Sequence, residues 1–378
     1  MNNSIGRLPV TVVTGFLGAG KTTLLRHLLL RSGQRLAVLV NEFGEVGIDG
    51  ALLRSCGFCP EDELDTRLVE LANGCLCCTV QDDFLPTMEK LLERADSLDG
   101  IVVETSGLAL PEPLVAALNW PQIRTRIRVN GVVAVVDGEA LAAGNIVANP
   151  AALEAQRQAD PSLDHATAIE ELFAEQLEAA DLVLISRADC LSPAEIDTVH
   201  KRLAPQLQPG AVLLSMGRGE VAPELVLGLE RRQLATSGQD HHDYEHHDYE
   251  HHDHEHHDHS HVAIESLALD LPGDFSRASL EQSLLQLVND SGLIRLKGRL
   301  WLAGKSRPLQ IQAVGPRLEC WFEPGGKQAE CEQHDPGLEL VLLGFQLHRA
   351  AIESCLLHAT TVLADGDSTR SKLNRPTN

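Results

Sequence analysis

Along the N-terminal part of the chain, apolar residues come in short β-branched runs, separated by stretches in which they recur every three or four positions. The runs Pro9–Val13, Leu36–Val40, Gly100–Glu104, Val132–Asp137, Asp181–Ser186 and Ala211–Ser215 predict strands, and the intervening stretches, LLRHLLLR among them, predict helices. Continuous apolar runs suit strands buried on both faces, so this rhythm predicts an α/β domain with a mainly parallel sheet. Beyond residue 262 the pattern changes. VAIESLALDL alternates, ASLEQSLLQLVND has helical spacing, and IRLKGRLWL, LQIQAV, RLECWF and LELVLLGF read as strands before a closing helix over Arg349–His358. That order predicts a smaller α+β domain with a mainly antiparallel sheet.

Between the two patterns lies Asp240–His261, four pentads built on HHDYE and HHDHE that hold 11 of the 17 histidines. Apart from two tyrosines it has no apolar side chain with which to build a core, so it predicts a disordered His/Asp-rich linker. The expected organisation is a nucleotide-binding domain over 1–235, the linker over 236–261, the α+β domain over 262–362 and a polar tail over 363–378. Within the tract, neutral imidazoles beside carboxylates can bind Zn²⁺, Co²⁺ or Ni²⁺ weakly as a reservoir, or serve only as a solvated spacer.

Composition narrows the function. With 43% hydrophobic and 22% charged residues, the chain has material for real cores. A net charge of −23 repels nucleic acid and anionic lipid, so neither is an expected partner. No apolar run approaches the length of about 18 residues that a membrane-spanning helix needs, and the N-terminus has no secretory pattern, so the expected location is cytoplasmic. In that compartment nine cysteines read as reduced thiols, some of them metal-binding, rather than as a disulfide framework.

Gly15-Phe16-Leu17-Gly18-Ala19-Gly20-Lys21-Thr22 fits GxxxxGK[ST] between a predicted strand and a predicted helix. In that context Gly15, Gly18, Ala19, Gly20 and the following Thr23 form a phosphate cradle, Lys21 reaches the β- and γ-phosphates, and the Thr22 hydroxyl holds Mg²⁺. The strand Ile101–Glu104 leads into Thr105-Ser106-Gly107. Glu104 is thereby a candidate Mg²⁺-side carboxylate and Gly107 a candidate γ-phosphate sensor, which with Lys21 and Thr22 makes the hydrolytic set. Ser186-Arg187-Ala188-Asp189 stands where guanine-specific GTPases carry NKxD. Asp189 can accept from the guanine N1 and N2 hydrogens, and the stem of Arg187 can cover the base. Ser186 replaces the usual Asn, which leaves GTP favoured over ATP but not decided.

Asn73-Gly74-Cys75-Leu76-Cys77-Cys78-Thr79 packs three thiols into four positions just before a predicted helix, where thiolate character and affinity for a borderline-soft cation rise. Buried small residues or a redox pair are the competing readings. Cys56-Gly57-Phe58-Cys59 is an isolated CxxC that either joins this site or is incidental.

Taken in order, TGFLGAGKTT, NEFGEVGID, NGCLCC and VVETSG resemble the CobW family of P-loop metallochaperone GTPases, and the resemblance spans most of residues 8–235. It implies a GTP-dependent chaperone that delivers Co²⁺ for cobalamin synthesis, ranked first, or Zn²⁺. Cys75, Cys77 and Cys78 would form the internal cargo site with Glu42 as a further ligand, and Asp49 of the same switch region would join Thr22 and Glu104 around Mg²⁺. The implied partner is a client metalloprotein or a cobalt chelatase. A homodimer controlled by nucleotide or metal is left open. Two rivals remain: a P-loop ATPase or small-molecule kinase, and a histidine-rich metal store.

Overall fold

The structure is a computed structural model, and it describes residues 7–40, 68–70, 84–151, 153–154, 169–228, 264–290, 292–322 and 335–360. Seven parallel strands form the first sheet: β1 (Leu8–Thr14), β2 (Leu36–Val40), β3 (Leu68–Glu70), β4 (Gly100–Glu104), β5 (Ile127–Asp137), β6 (Leu182–Ser186) and β7 (Val212–Ser215). Their order is β3-β2-β4-β1-β5-β6-β7, with β1 at the centre. The second sheet is antiparallel, with order β11-β10-β9-β12-β8, from β8 (Ile264–Pro272), β9 (Leu293–Trp301), β10 (Leu309–Val314), β11 (Arg317–Phe322) and β12 (Gly337–Phe345). An α/β parallel-sheet domain followed by a smaller antiparallel α+β domain is what the hydrophobic pattern predicts.

Helices cover both faces of the first sheet, as a parallel sheet requires. On one face, α1 (Lys21–Arg31) sets Leu24, Leu25 and Leu28 against Val13, Val38, Val102 and Val133. On the other, α2 (Leu85–Glu93) and α3 (Pro111–Leu118) bury Met88, Leu91, Leu92 and Leu114 against Val10, Val12, Ile101 and Val103. A third cluster joins α4 (Gly138–Ala142), α5 (Ile169–Glu178) and α6 (Pro193–Leu203) to Val136 and Ile185, and Phe16 of the glycine loop belongs to it. The short α7 (Pro223–Leu227) ends the first domain's described residues. In the second domain, α8 (Arg277–Asp290) and α9 (Arg349–Leu357) cover one face of the sheet with Leu280, Leu284, Ile352 and Leu356.

β5 is longer than its sequence pattern suggests. Asn130-Gly131 has the composition of a turn, yet the strand runs through it. Val10 pairs with Val129 and Thr11 with Gly131, so Asn130 is the extra residue of a β-bulge. Its side chain, 1% exposed, turns inward and donates to Thr11 Oγ1 at 2.9 Å and Leu227 O at 2.9 Å. From β10, Gln312 donates to Asn130 Oδ1. Arg295 of β9 donates to the carbonyls of Leu225 and Val226, and Arg317 Nε lies 2.7 Å from the buried carboxylate of Asp181. Ile294, Val341 and Leu343 complete the apolar side of this junction in the same cluster as α1. The second domain thus borders the same apolar cluster as the helix that follows the glycine loop.

Candidate nucleotide site

The strand register brings the proposed nucleotide-binding residues to one edge of the sheet. Val13 of β1 pairs with Glu104, and Asp137 of β5 pairs with Ser186, so β1, β4, β5 and β6 all end in the row where parallel α/β sheets bind ligands. β1 runs into Gly15, whose φ is +134°. A Cβ there would lie 2.1 Å from Val135 O, a backbone atom of β5, so only glycine fits where the loop leaves the sheet. Gly20, at the N-terminus of α1, is left-handed, and the loop turns there into the helix. A helix N-terminus following such a loop presents N–H groups and a positive dipole end to an anion.

Lys21 is buried, and its Nζ donates to Gly15 O at 2.8 Å and to Phe16 O at 3.4 Å. The same amine lies 3.7 Å from Glu104 Oε1. Glu104 is 2% exposed at the end of β4, and Thr22 is in the first turn of α1. A carboxylate and a hydroxyl at one strand edge are hard oxygen donors that fit Mg²⁺ rather than a soft cation. Next to Glu104, Thr105 donates from its backbone N to Val13 O at 2.9 Å and from its hydroxyl to Thr14 Oγ1 at 3.0 Å, tying β4's end to β1's. Gly107 packs directly on the glycine loop. A Cβ on it would be 2.7 Å from Leu17 N, so the residue read as the γ-phosphate sensor touches the phosphate cradle.

Arg187 lies at φ +54° after β6, and its Nη2 donates to Gly18 O at 3.1 Å, lacing the base motif to the glycine loop. Its Nη1 pairs with Asp137, which also caps α4 by accepting from Ala140 N at 3.2 Å. Asp189 lies 3.6 Å from Arg218 Nε, an exposed arginine on the segment after β7. Ser186 is buried beside Gly20, and its hydroxyl has no hydrogen-bond partner among the described residues. Gly18 is exposed, Ala19 is buried, and Thr23 faces solvent next to Gly219.

Sequence reasoning missed Asp137, Arg218 and Gln176. Asp137 was read only as the end of a strand, although an acid closing an apolar run before Gly138 is a signal of its own. Arg218 carries no signal, because its place depends on the packing of β7 beside β6. Glu42, Asp49, Cys56, Cys59, Cys75, Cys77, Cys78 and the histidine tract lie outside the described residues. Among the described residues no group of three or more His, Cys, Asp or Glu could hold a metal, and no helix is long and apolar enough to cross a membrane.

A glycine loop closing on a helix, a buried lysine, a strand-end carboxylate and a base motif laced to the loop define a P-loop nucleoside triphosphatase. Residues 9–214 match the model of the CobW/HypB/UreG nucleotide-binding domain, and residues 264–360 match that of the cobalamin synthesis protein cobW C-terminal domain. The chain belongs to the CobW/HypB/UreG family and is a GTPase of that family. It is 45% identical over 357 residues to "Zinc chaperone CobW" of Pseudomonas aeruginosa, covering 93% of this chain and 92% of that one. It is 40% identical to "Zinc chaperone CobW" of a Sinorhizobium species (93% and 97% covered) and 28% identical to "Zinc chaperone YjiA" of Escherichia coli (92% and 97%).

Proposed function

We propose that the protein is a GTP-dependent metallochaperone that carries a divalent metal on its CxCC thiolates and releases it to a client protein when GTP is hydrolysed. The observation that carries this reading is the order of neighbouring strand ends. Val40, the last residue of β2, pairs with Glu104 on one side and with Glu70, the last residue of β3, on the other. The segment containing Glu42 and Asp49 starts directly after Val40, and Cys75 follows Glu70 by five positions in the chain, at most about 18 Å. In the chain the two motifs thus follow β2, the neighbour of β4, and β3, one strand further out, an order that supports the reading.

In this reading the N–H groups at the start of α1 and Lys21 bind the phosphates, while Thr22, Glu104 and Asp49 hold Mg²⁺. Mg²⁺ held by these residues would offset the charge of the phosphates. Gly107 senses the γ-phosphate, Arg187 covers the base, Asp189 reads guanine, and the Ser186 hydroxyl offers a donor to the purine. GTP orders the segment bearing Glu42, which completes the site of Cys75, Cys77 and Cys78, and hydrolysis relaxes it. Zn²⁺ is the cargo favoured here. Overall resemblance ranked Co²⁺ and cobalamin synthesis first, but the curated relatives are named as zinc chaperones, and thiolates suit Zn²⁺ well.

The test is a transfer assay. Protein loaded with Zn²⁺ and Mg-GTP should pass metal to a chromogenic chelator faster than protein loaded with a non-hydrolysable GTP analogue. Equal rates would overturn the proposal.

A further inference from the structure

α5 is an amphipathic helix whose inward face reads Leu172, Phe173, Gln176, Leu177. Three of these do what a buried helix face does, and the Phe173 ring stands 5.9 Å from that of Phe16 in the glycine loop. The fourth is a primary amide, 2% exposed, where an apolar side chain would fill the space without an amide to satisfy. Its Nε2 donates to Gly107 O at 3.2 Å and to Ala109 O at 3.0 Å. Both hydrogens of one amide group are thus spent on the loop that follows Glu104.

Those two carbonyls belong to a single turn. Ala109 N donates to Ser106 O at 3.1 Å, closing Ser106–Ala109. In a trans peptide the C=O and N–H point in opposite directions. A carbonyl drawn toward α5 therefore turns the N–H of its own peptide unit away from α5, and the bond closing the turn likewise sets the direction of the Gly107 N–H through Ser106 O. The turn is held from two sides, with the Gly107 Cα against Phe16 and Leu17 and its carbonyl on α5. Rotating the Gly107–Leu108 peptide unit would break the bond from Gln176 to Gly107 O, and rotating the Ala109–Leu110 unit the bond to Ala109 O, so the two bonds hold the turn on both sides of Leu108.

We infer that Gln176 is a positioning residue for GTP hydrolysis: it clamps the Ser106–Ala109 turn so that the N–H groups of this loop are aligned for the γ-phosphate. The inference rests on the reading of Gly107 as the γ-phosphate sensor. Gln176 touches neither nucleotide nor metal and acts through the turn. The same geometry makes α5 a relay, since one helix contacts the glycine loop through Phe173 and the sensing turn through Gln176.

The test uses the full-length chain and three substitutions. Gln176→Met keeps the length of the side chain and removes both donors. It should lower kcat for GTP at least about tenfold while KM for GTP and Kd for GDP stay within about threefold, the pattern of an interaction realised in the transition state. Gln176→Glu has no donor as a carboxylate and one as a carboxylic acid. Its kcat relative to the unsubstituted protein should rise as pH is lowered from about 8 to about 6, because burial raises a carboxyl pKa. A purely structural amide would show no such recovery. Gly107→Ala separates the two levels of the argument, since its Cβ must displace the turn from Leu17. If Gly107→Ala hydrolyses GTP normally, the sensor reading fails and the clamp with it. If Gly107→Ala is impaired while Gln176→Met, folded by circular dichroism, stays within about twofold of normal kcat, the clamp alone is overturned. Should Gln176→Met not fold, the pH profile of Gln176→Glu decides, and a flat ratio overturns the proposal.

Discussion

Arg187 joins three parts of the nucleotide site, and its removal has a cost that can be worked out. In Arg187→Ala the donor to Gly18 O disappears, and a hydrogen bond from a charged group contributes about 1.5 kcal/mol or somewhat more. The partner carboxylate of Asp137 stays buried without its cation. Breaking a fully buried pair costs about 3–5 kcal/mol, but Arg187 is 39% exposed, so solvent screening reduces this to about 2 kcal/mol. The stability of the folded protein should therefore fall by about 3.5 kcal/mol. The tether to the glycine loop and the cover on the base are also lost, which should weaken GTP binding about tenfold, since each 1.4 kcal/mol is a factor of ten. Arg187→Lys is the informative control. A single ammonium on a flexible stem can reach Gly18 O or Asp137 but does not reproduce the two-nitrogen bridge, so its effects should fall about midway. Titration with a fluorescent guanine nucleotide measures the loss of binding, and urea denaturation the loss of stability. The double substitution Arg187→Ala with Asp137→Asn should cost less than the two single ones together, by at least about 1 kcal/mol, because the residues are in contact. If Arg187→Ala binds GTP and unfolds within about 0.5 kcal/mol of the unsubstituted protein, the lacing of base motif to glycine loop contributes nothing and the reasoning is refuted.

Two further predictions concern packing and pH. Asn130→Ala removes donors to Thr11 and Leu227 and an acceptor for Gln312 in a site closed to water, and it should destabilise the protein by about 3–5 kcal/mol in urea denaturation; a cost under about 1 kcal/mol would show that the bulge does not join the domains energetically. Burial lowers the pKa of His200 below its ordinary value, so between the two values the unfolded chain binds more protons than the folded one. The contribution of His200 is present above about pH 6.5 and is lost as pH falls below it. The difference in unfolding free energy between the native protein and His200→Gln should therefore shift against the native protein on acidification; a difference independent of pH would contradict the burial argument.

The hydrophobic pattern carried most of the architecture because parallel strands buried on two faces leave uninterrupted apolar runs, as in GIVVE and DLVLIS, and each proved to be a strand. β3 was missed for the converse reason. Its three residues, Leu68–Glu70, are too few to make a run. β5 was cut short at Asn130-Gly131 because the composition of a bulge is that of a turn, and only the pairing with β1 distinguishes them. Within the site, Gly15, Lys21, Thr22, Glu104 and Gly107 were legible because phosphate binding needs a contiguous motif and a strand end. Asp137, Gln176 and Arg218 act through contacts with residues distant in the chain, and no local spacing announces such a partner. Gln176 did leave a trace, as a lone amide on the apolar face of a helix, the kind of local inconsistency that marks a functional position.

The domain junction bears on the same chemistry. Ile294, Val341 and Leu343 share a core with Leu24, Leu25 and Leu28 of α1, so the helix that follows the glycine loop and the second domain border one apolar cluster.

The central claim is that nucleotide state sets metal affinity. It is tested most directly by competitive titration of Zn²⁺ and Co²⁺ into protein lacking Asp240–His261, in the presence of Mg²⁺ with GDP, GTP or a non-hydrolysable GTP analogue. One stoichiometric thiolate site should tighten strongly with the triphosphate alone and disappear in Cys77→Ser. An affinity that is the same with GDP and with the GTP analogue would contradict it.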